Sequence, residues 1–173
     1  DEDTTVLVAL QDIRRDQDGT LILRHSCHHA SCGTCGMRIN GREELACVVK
    51  VLDLNTSTVT VEPMRNMPVI SDLVVDMTPF YDRFNSAGMP LIRESEFLDE
   101  AEVAEGLEAY LRCENCIECN LCVSACPIAG TDPTYLGPAA LAAAWRVVEE
   151  PRGLDPKPLL DWVDSDNGCW RCQ

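Results

Sequence analysis

Lysine is almost missing from this 173-residue chain; it occurs only at Lys50 and Lys157. With arginine included, fourteen basic side chains face twenty-nine acidic ones, for a net charge of −15. A nucleic-acid partner would call for a basic stripe against its phosphates, so that class is excluded. No apolar run approaches the roughly 18–20 residues that cross a bilayer, so any membrane association has to come through a partner. Catalytic signatures are absent too: there is no Ser/His/Asp arrangement, no phosphate-cradling glycine loop and no flavin or nicotinamide fingerprint. Making or breaking a substrate bond is therefore not expected of these residues. The acid excess reads as a solvated surface, with adaptation to high salt as the sharper alternative.

Cysteine is what the chain has in excess. Eleven cysteines fall in three tight groups, and 46% hydrophobic against 25% charged residues leaves enough apolar material for a core around them. A disulfide-stapled secreted domain carries an even count and a secretion signal, and neither pattern is seen here. Thiols in serial C-x-x-C steps read as metal ligands in a reducing compartment.

Asp3, Thr4 and Thr5 read as N-cap material for a helix whose apolar face carries Val6, Leu10 and Ile13. Asp18-Gly19 marks a turn. Leu21–Leu23 reads as a short strand, Met37–Ile39 as another, Asn40-Gly41 as a tight turn and Leu45–Val51 as a third strand. Val59–Val61 alternates up to Glu62-Pro63, where the sheet should stop. From about Asp72 the strand-like alternation ends. Glu105–Arg112 and Leu159–Val163 read as helices, and Gly137-Pro138 opens a further helical run through Val148. The domain boundary is placed near residue 76, with a sheet domain over 1–76 and a helical domain over 77–173.

The first cysteine group is Cys27, Cys32 and Cys35, with Cys47 beyond. C-x4-C-x2-C with a distant fourth cysteine is the plant-type [2Fe–2S] spacing. Two bridged irons need four thiolates, three from an encircling loop and one from a neighbouring strand. Gly33 lets backbone approach the sulfurs. His28 and His29 suggest a Rieske exchange, but four spaced cysteines leave them surplus as polar loop residues; His25 has no role. Zinc is the alternative metal, although structural zinc favours paired knuckles.

In the second group, Cys116, Cys119, Cys122 and Cys126-Pro127 reproduce C-x2-C-x2-C-x3-C-P, the bacterial ferredoxin run. Three thiolates grip one cubane and the fourth serves a different cluster. Cys169 and Cys172 form the third group. Cys113 and Cys169 are left unassigned.

At these residues the chain resembles the iron–sulfur subunits of succinate dehydrogenase and fumarate reductase, the complex II family. Three blocks carry the resemblance: Cys27 to Cys47 ending in Leu45-Ala46-Cys47, Cys116 to Pro127, and Tyr135-Leu-Gly-Pro-Ala-Ala-Leu141. It implies an α+β chain, with an N-terminal β-grasp [2Fe–2S] ferredoxin-like domain followed by an all-α bacterial-ferredoxin-like domain. It also implies that Cys27, Cys32, Cys35 and Cys47 bind [2Fe–2S], that Cys116, Cys119 and Cys122 bind [4Fe–4S], and that Cys126 and Cys172 bind [3Fe–4S]. The implied partners are a FAD-containing flavoprotein subunit, membrane anchor subunits and a quinone, on the cytoplasmic face of the inner membrane.

The sequence departs from that family where quinone-reactive members carry tryptophans after Cys126-Pro127, reading Ile128 to Pro133 instead, and in having Gln173 where histidine is frequent. The remaining cluster ligands are expected beyond residue 173, and an N-terminal hairpin is expected before residue 1. The expected role is electron transfer from a flavoprotein oxidising succinate to quinone. The alternatives are a quinol- or thiol-linked fumarate reductase subunit, a stand-alone multi-cluster carrier, and a zinc-binding interaction module. Co-purification of a flavoprotein separates the carrier from the subunit, and visible absorbance from iron–sulfide charge transfer excludes zinc.

Overall fold

Of Asp3, Thr4 and Thr5, Thr5 is the residue that caps the first helix. Its backbone is extended, and its hydroxyl accepts the Val8 N–H at 3.3 Å, satisfying one of the unpaired donors of helix α1, Val6–Asp16. Arg14 and Arg15 sit in the last turn, where the helix dipole favours cations. The helix buries Val6, Leu7 and Leu10 and leaves Ile13 on the outside, so its inner face is turned toward Leu7 from the expected one.

The computed structural model describes residues 2–89, 108, 115–150 and 155–172. The chain divides into two units, Asp1–Met77 with Ile117–Ala125, and Thr78–Cys116 with Cys126–Gln173. Ile117–Ala125, expected within 77–173, thus groups with the first unit.

In the first unit, strands β1 (Gly36–Ile39) and β2 (Arg42–Leu45) pair antiparallel from Gly36 opposite Leu45 to Ile39 opposite Arg42. Asn40 and Gly41, at φ 49° and 81°, supply the left-handed pair that a two-residue hairpin turn needs. Strand β3, Val61–Glu62, pairs on the other side of β1, giving the order β2-β1-β3. Met37 and Ile39 face a core of Val6, Leu7, Leu10, Leu23, Ala46 and Val49. Burying each of these valine, leucine, isoleucine and methionine side chains contributes roughly 1.5–3 kcal/mol.

Two of the expected strand segments come out differently, and sheet appears where none was expected. Leu45–Val51 leaves the ladder after one further rung, the Ala46 N–H to the Cys35 carbonyl (3.1 Å), because the Val48 N–H then turns back to the Leu45 carbonyl (3.1 Å) and the Ala46 carbonyl accepts the Leu7 N–H (3.0 Å). Leu21–Leu23 is not a strand; the Ile22 N–H donates to the Asp72 carboxylate at 2.8 Å and its carbonyl accepts the Leu73 N–H at 3.2 Å. Sheet structure also continues past Asp72, as β4 (Val69–Ser71) and β5 (Val74–Val75) form a hairpin around Asp72 at φ 44°.

Helix α3, Leu121–Ala125, packs on β2 within this unit. The tie is polar. Glu43 on β2 accepts from the Ser124 hydroxyl (3.2 Å) and from Arg65 (3.1 Å). Arg38 Nε lies 3.2 Å from the same carboxylate oxygen, an ion pair whose angle falls short of a hydrogen bond. The Arg65 N–H donates to Ser124 Oγ at 2.9 Å.

The regular elements described in the second unit are α2 (Thr78–Ser86), α4 (Pro127–Thr131), α5 (Pro138–Val148), α6 (Lys157–Val163) and a 3-10 turn at Cys169–Arg171. Pro138 occupies the first turn of α5, after Gly137 at φ 90°. Ala139, Ala140, Ala143 and Ala144 are buried on α5, which packs against α2 and α6. Apart from Glu108, the expected helix Glu105–Arg112 lies outside the described residues, as do Cys113 and Gln173. The described part of the chain is mixed α+β, and none of its helices is long and apolar enough to cross a membrane.

Candidate metal centres

The loop from Cys27 to Cys35 turns its amides onto sulfur. Cys27 Sγ accepts the N–H groups of Ser31 and Cys32 at 3.3 Å and of His29 at 3.5 Å. Cys32 Sγ accepts the Cys27 N–H at 3.5 Å and meets the Thr34 hydroxyl at 3.1 Å. Cys47 Sγ accepts the Ala30 N–H at 3.3 Å. Left-handed backbone at His28, Ala30 and Gly33 (φ 63°, 59° and 70°) reverses the chain often enough to aim successive N–H groups inward. α1 fixes the far ligand, since the Leu7 N–H holds the Ala46 carbonyl beside Cys47. Cys35 and Cys47 are buried, and Cys27 and Cys32 are half-buried.

This is an environment for sulfur anions. The backbone N–H of His29, then those of Ser31 and Cys32, hold the Cys27 thiol down to about 7 despite some desolvation. The Thr34 hydroxyl leads in lowering Cys32. Burial pushes Cys35 up to about 11, with the Cys47 side chain adding to the rise. A cluster carrying positive iron reverses that cost, because a coordinating thiol is deprotonated outright. Four thiols with amides on three of them fit a [2Fe–2S] group. His29 places its ring nitrogen on the Cys27 carbonyl, and His28 meets His25 at 3.2 Å, beside Gln11. Among the described residues no three His, Cys, Asp or Glu side chains close on the position of a single ion.

Part of the second run lies directly on this loop. A Cβ at Gly33 would stand 2.8 Å from both Cys119 Cβ and the Ile117 carbonyl oxygen. A Cβ at Gly36 would stand 3.1 Å from the Cys119 oxygen. The close approach that Gly33 permits is thus to Ile117–Cys119, a partner its own loop does not announce. Glu118 and Asn120 repeat the alternating left-handed backbone of the first loop (φ 55° and 63°). Asn120 is 1% exposed and neither end of its amide has a hydrogen-bond partner. A buried amide left this way costs about 1–3 kcal/mol. Between Cys119 and Cys122, cluster sulfur is the acceptor that would offset the cost, so the residues fit such a group. Cys119 and Cys122 belong to the first unit, Cys116 and Cys126 to the second.

In the second unit, Cys126 caps α4, its sulfur accepting the Ala129 N–H at 3.5 Å. Cys172 ends the 3-10 turn, and its Sγ lies 2.9 Å from the Tyr135 hydroxyl. Tyr135 is 1% exposed. Burial raises its phenol well above the ordinary value, and the Cys172, Cys126 and Cys169 thiols push the same way. Cys172 thus touches the phenol while Cys126 and Cys169 lie within its electrostatic reach, and thiols of this kind suit an iron–sulfur group. Tyr135 was marked in sequence only as the first residue of the third block that carries the resemblance. Asn120 carried no signal beyond its place between two cysteines.

Sulfur-rich loops lined with inward amides define the chain as an iron–sulfur electron-transfer protein. Residues 1–82 match the family described as the 2Fe-2S iron-sulfur cluster binding domain. The chain is 40% identical over 175 residues to the fumarate reductase iron-sulfur subunit of Mycobacterium tuberculosis, covering 96% of this chain and 69% of that protein. It is 34% identical over 173 residues to succinate dehydrogenase [ubiquinone] iron-sulfur subunit 1, mitochondrial, of Oryza sativa subsp. japonica, covering 96% of this chain and 61% of that one. The solved Mycobacterium smegmatis Sdh1 complex in the apo form contains a chain similar to this one at a TM-score of 0.78 and 25% identity, over 93% of this chain and 70% of that chain. The protein belongs to the family of iron–sulfur subunits of fumarate reductase and succinate dehydrogenase, and is an electron-transfer subunit of the complex II type.

Proposed function

We propose that this chain relays electrons in a succinate:quinone oxidoreductase, between a FAD-containing flavoprotein subunit that oxidises succinate and a membrane quinone. Cys27, Cys32, Cys35 and Cys47 hold [2Fe–2S]; Cys116, Cys119 and Cys122 hold [4Fe–4S]; Cys126 and Cys172 hold [3Fe–4S]. When bound, these groups supply one-electron oxidation and reduction at iron. The protein supplies thiolates, amide donors that stabilise negative charge on sulfur, and walls that keep water away.

The observation that carries this reading is the set of five N–H···S contacts on Cys27, Cys32 and Cys47, at 3.3–3.5 Å. A purely structural loop has no reason to spend its amides on sulfur, a weaker acceptor than oxygen. A two-domain division into a β-grasp ferredoxin domain over 1–76 and an all-α domain over 77–173 belongs to the same reading. So do membrane anchor subunits and a place on the cytoplasmic face of the inner membrane.

The test is anaerobic purification with partners, followed by electron paramagnetic resonance during succinate titration. Three cluster signals reduced by succinate support the reading. A colourless, iron-free chain without a flavoprotein partner refutes it. Fumarate reductase is the second reading, favoured by the 40% identity to the Mycobacterium tuberculosis protein of that name. Turnover faster with fumarate and a low-potential quinol than with succinate and quinone selects it.

A further inference from the structure

We propose that Tyr135 donates a hydrogen bond to the cluster-binding sulfur of Cys172 and thereby raises the reduction potential of the three-iron cluster. The proposal rests on Cys172 being a ligand, as read above.

The geometry is a direct contact. Tyr135 is 1% exposed, and its hydroxyl stands 2.9 Å from Cys172 Sγ. A buried hydroxyl without a partner is costly, and this sulfur is the partner it has been given. In a free thiol either atom could be the donor. A sulfur bound to iron carries no proton, so the O–H must donate and the sulfur must accept.

The surroundings hold phenol and thiol in place by bonds that use neither. The Leu136 N–H donates to the Asn167 carbonyl at 2.9 Å, and the Thr134 hydroxyl meets the Asn167 side chain at 3.1 Å. Arg171 pairs with Asp132 at 2.8 Å. The segment flanking Tyr135 is thus fastened on both sides to the turn that carries Cys172. A tyrosine needed only to fill this space could equally be phenylalanine, and the hydroxyl is what calls for another explanation.

One-electron reduction adds one negative charge to a cluster and its ligand sulfurs. A donor on a ligand sulfur withdraws charge from it and stabilises the more negative state, so the potential rises. No bond breaks and no proton leaves; the hydrogen stays on Tyr135.

The test uses the full chain in its purified complex, titrated with dithionite and followed by electron paramagnetic resonance. Tyr135→Phe should lower the midpoint of the three-iron cluster and leave the two-iron and four-iron midpoints where they are. A loaded variant with an unmoved three-iron midpoint overturns the proposal, as does an equal shift of all three clusters. Where Tyr135→Phe fails to load, 3-fluorotyrosine at position 135 makes a stronger O–H donor and should raise the same midpoint; no rise overturns the proposal. Cys172→Ala separates the two layers. An unaltered three-iron signal in that variant removes the ligand reading and the proposal together. Loss of the signal there, beside an unmoved midpoint in Tyr135→Phe, removes the proposal alone.

Discussion

Gly33 lies against Cys119. A methyl group at position 33 would meet both the Cys119 Cβ and the Ile117 carbonyl oxygen at 2.8 Å, on a backbone already at φ +70°. The contact brings a loop of the first cysteine group onto one of the second, although 86 residues separate them in sequence. Gly33→Ala should therefore cost about 2–4 kcal/mol, combining overpacking against backbone with left-handed strain. Thermal melting reads the loss, and both the two-iron and the four-iron signals should weaken. A variant with wild-type melting and both signals intact would show that the two loops do not depend on this contact.

Cys47 stands apart from the other three ligands of its group and is placed by α1 through the Leu7–Ala46 bond of 3.0 Å. Cys47→Ser should alter the two-iron spectrum and leave the three-iron signal of the second unit in place. Distant sites with no shared partners act almost independently. Electron paramagnetic resonance of the purified complex checks this, and equal loss of every signal contradicts it.

The thiols of the first group should separate by pH once iron is removed. Cys27 is held at about 7 by backbone N–H groups, whereas burial holds Cys35 at about 11. At pH 8 an alkylating agent should label Cys27 well before Cys35, as measured by mass spectrometry of the cluster-free chain. The sign for stability follows. Cys27 is depressed in the folded state, so its contribution is complete above the ordinary thiol value and is lost as pH falls through 7. Cys35 is raised, so its neutral form favours folding below the ordinary value, and that contribution is lost as pH climbs through 11.

Glu43 accepts from Arg65 and Ser124 and forms an ion pair with Arg38, and its side chain is only 11% exposed. Glu43→Ala leaves the half-buried Arg38 without that partner and should destabilise the chain by about 1–3 kcal/mol. Glu43→Gln, which keeps the shape and one acceptor, should lose less. Denaturant unfolding of the cluster-loaded chain gives both numbers, and equal losses would mean that the charge contributes nothing.

Cys172, and not Cys169, carries the contact with Tyr135. Cys172→Ala should lose the three-iron signal and Cys169→Ala should retain it, with iron content measured alongside. Comparable loss in the two variants would overturn the choice between them.

Local chemistry was legible in the sequence. The Cys27–Cys35 spacing, the Asn40-Gly41 turn, a cap within Asp3–Thr5 and the Pro138 helix start each depend on residues within a turn or two of one another. Asn40 and Gly41 need only tolerate positive φ, and Thr5 need only reach Val8. The same short reach explains the misread strands. Leu21–Leu23 and Leu45–Val51 have strand-like side chains, but the backbone partners that take them out of the sheet are Asp72, Leu73, Val6 and Leu7, which no local pattern names.

Tertiary structure alone decided the rest. It set Cys119 on Gly33, joined Ser124 to Glu43 across 81 residues and put the Tyr135 hydroxyl on a sulfur 37 residues away. Spacing along a chain fixes which thiols can share one loop. Which buried polar group meets which sulfur depends on chain closure over long separations, and only the packed core specifies that.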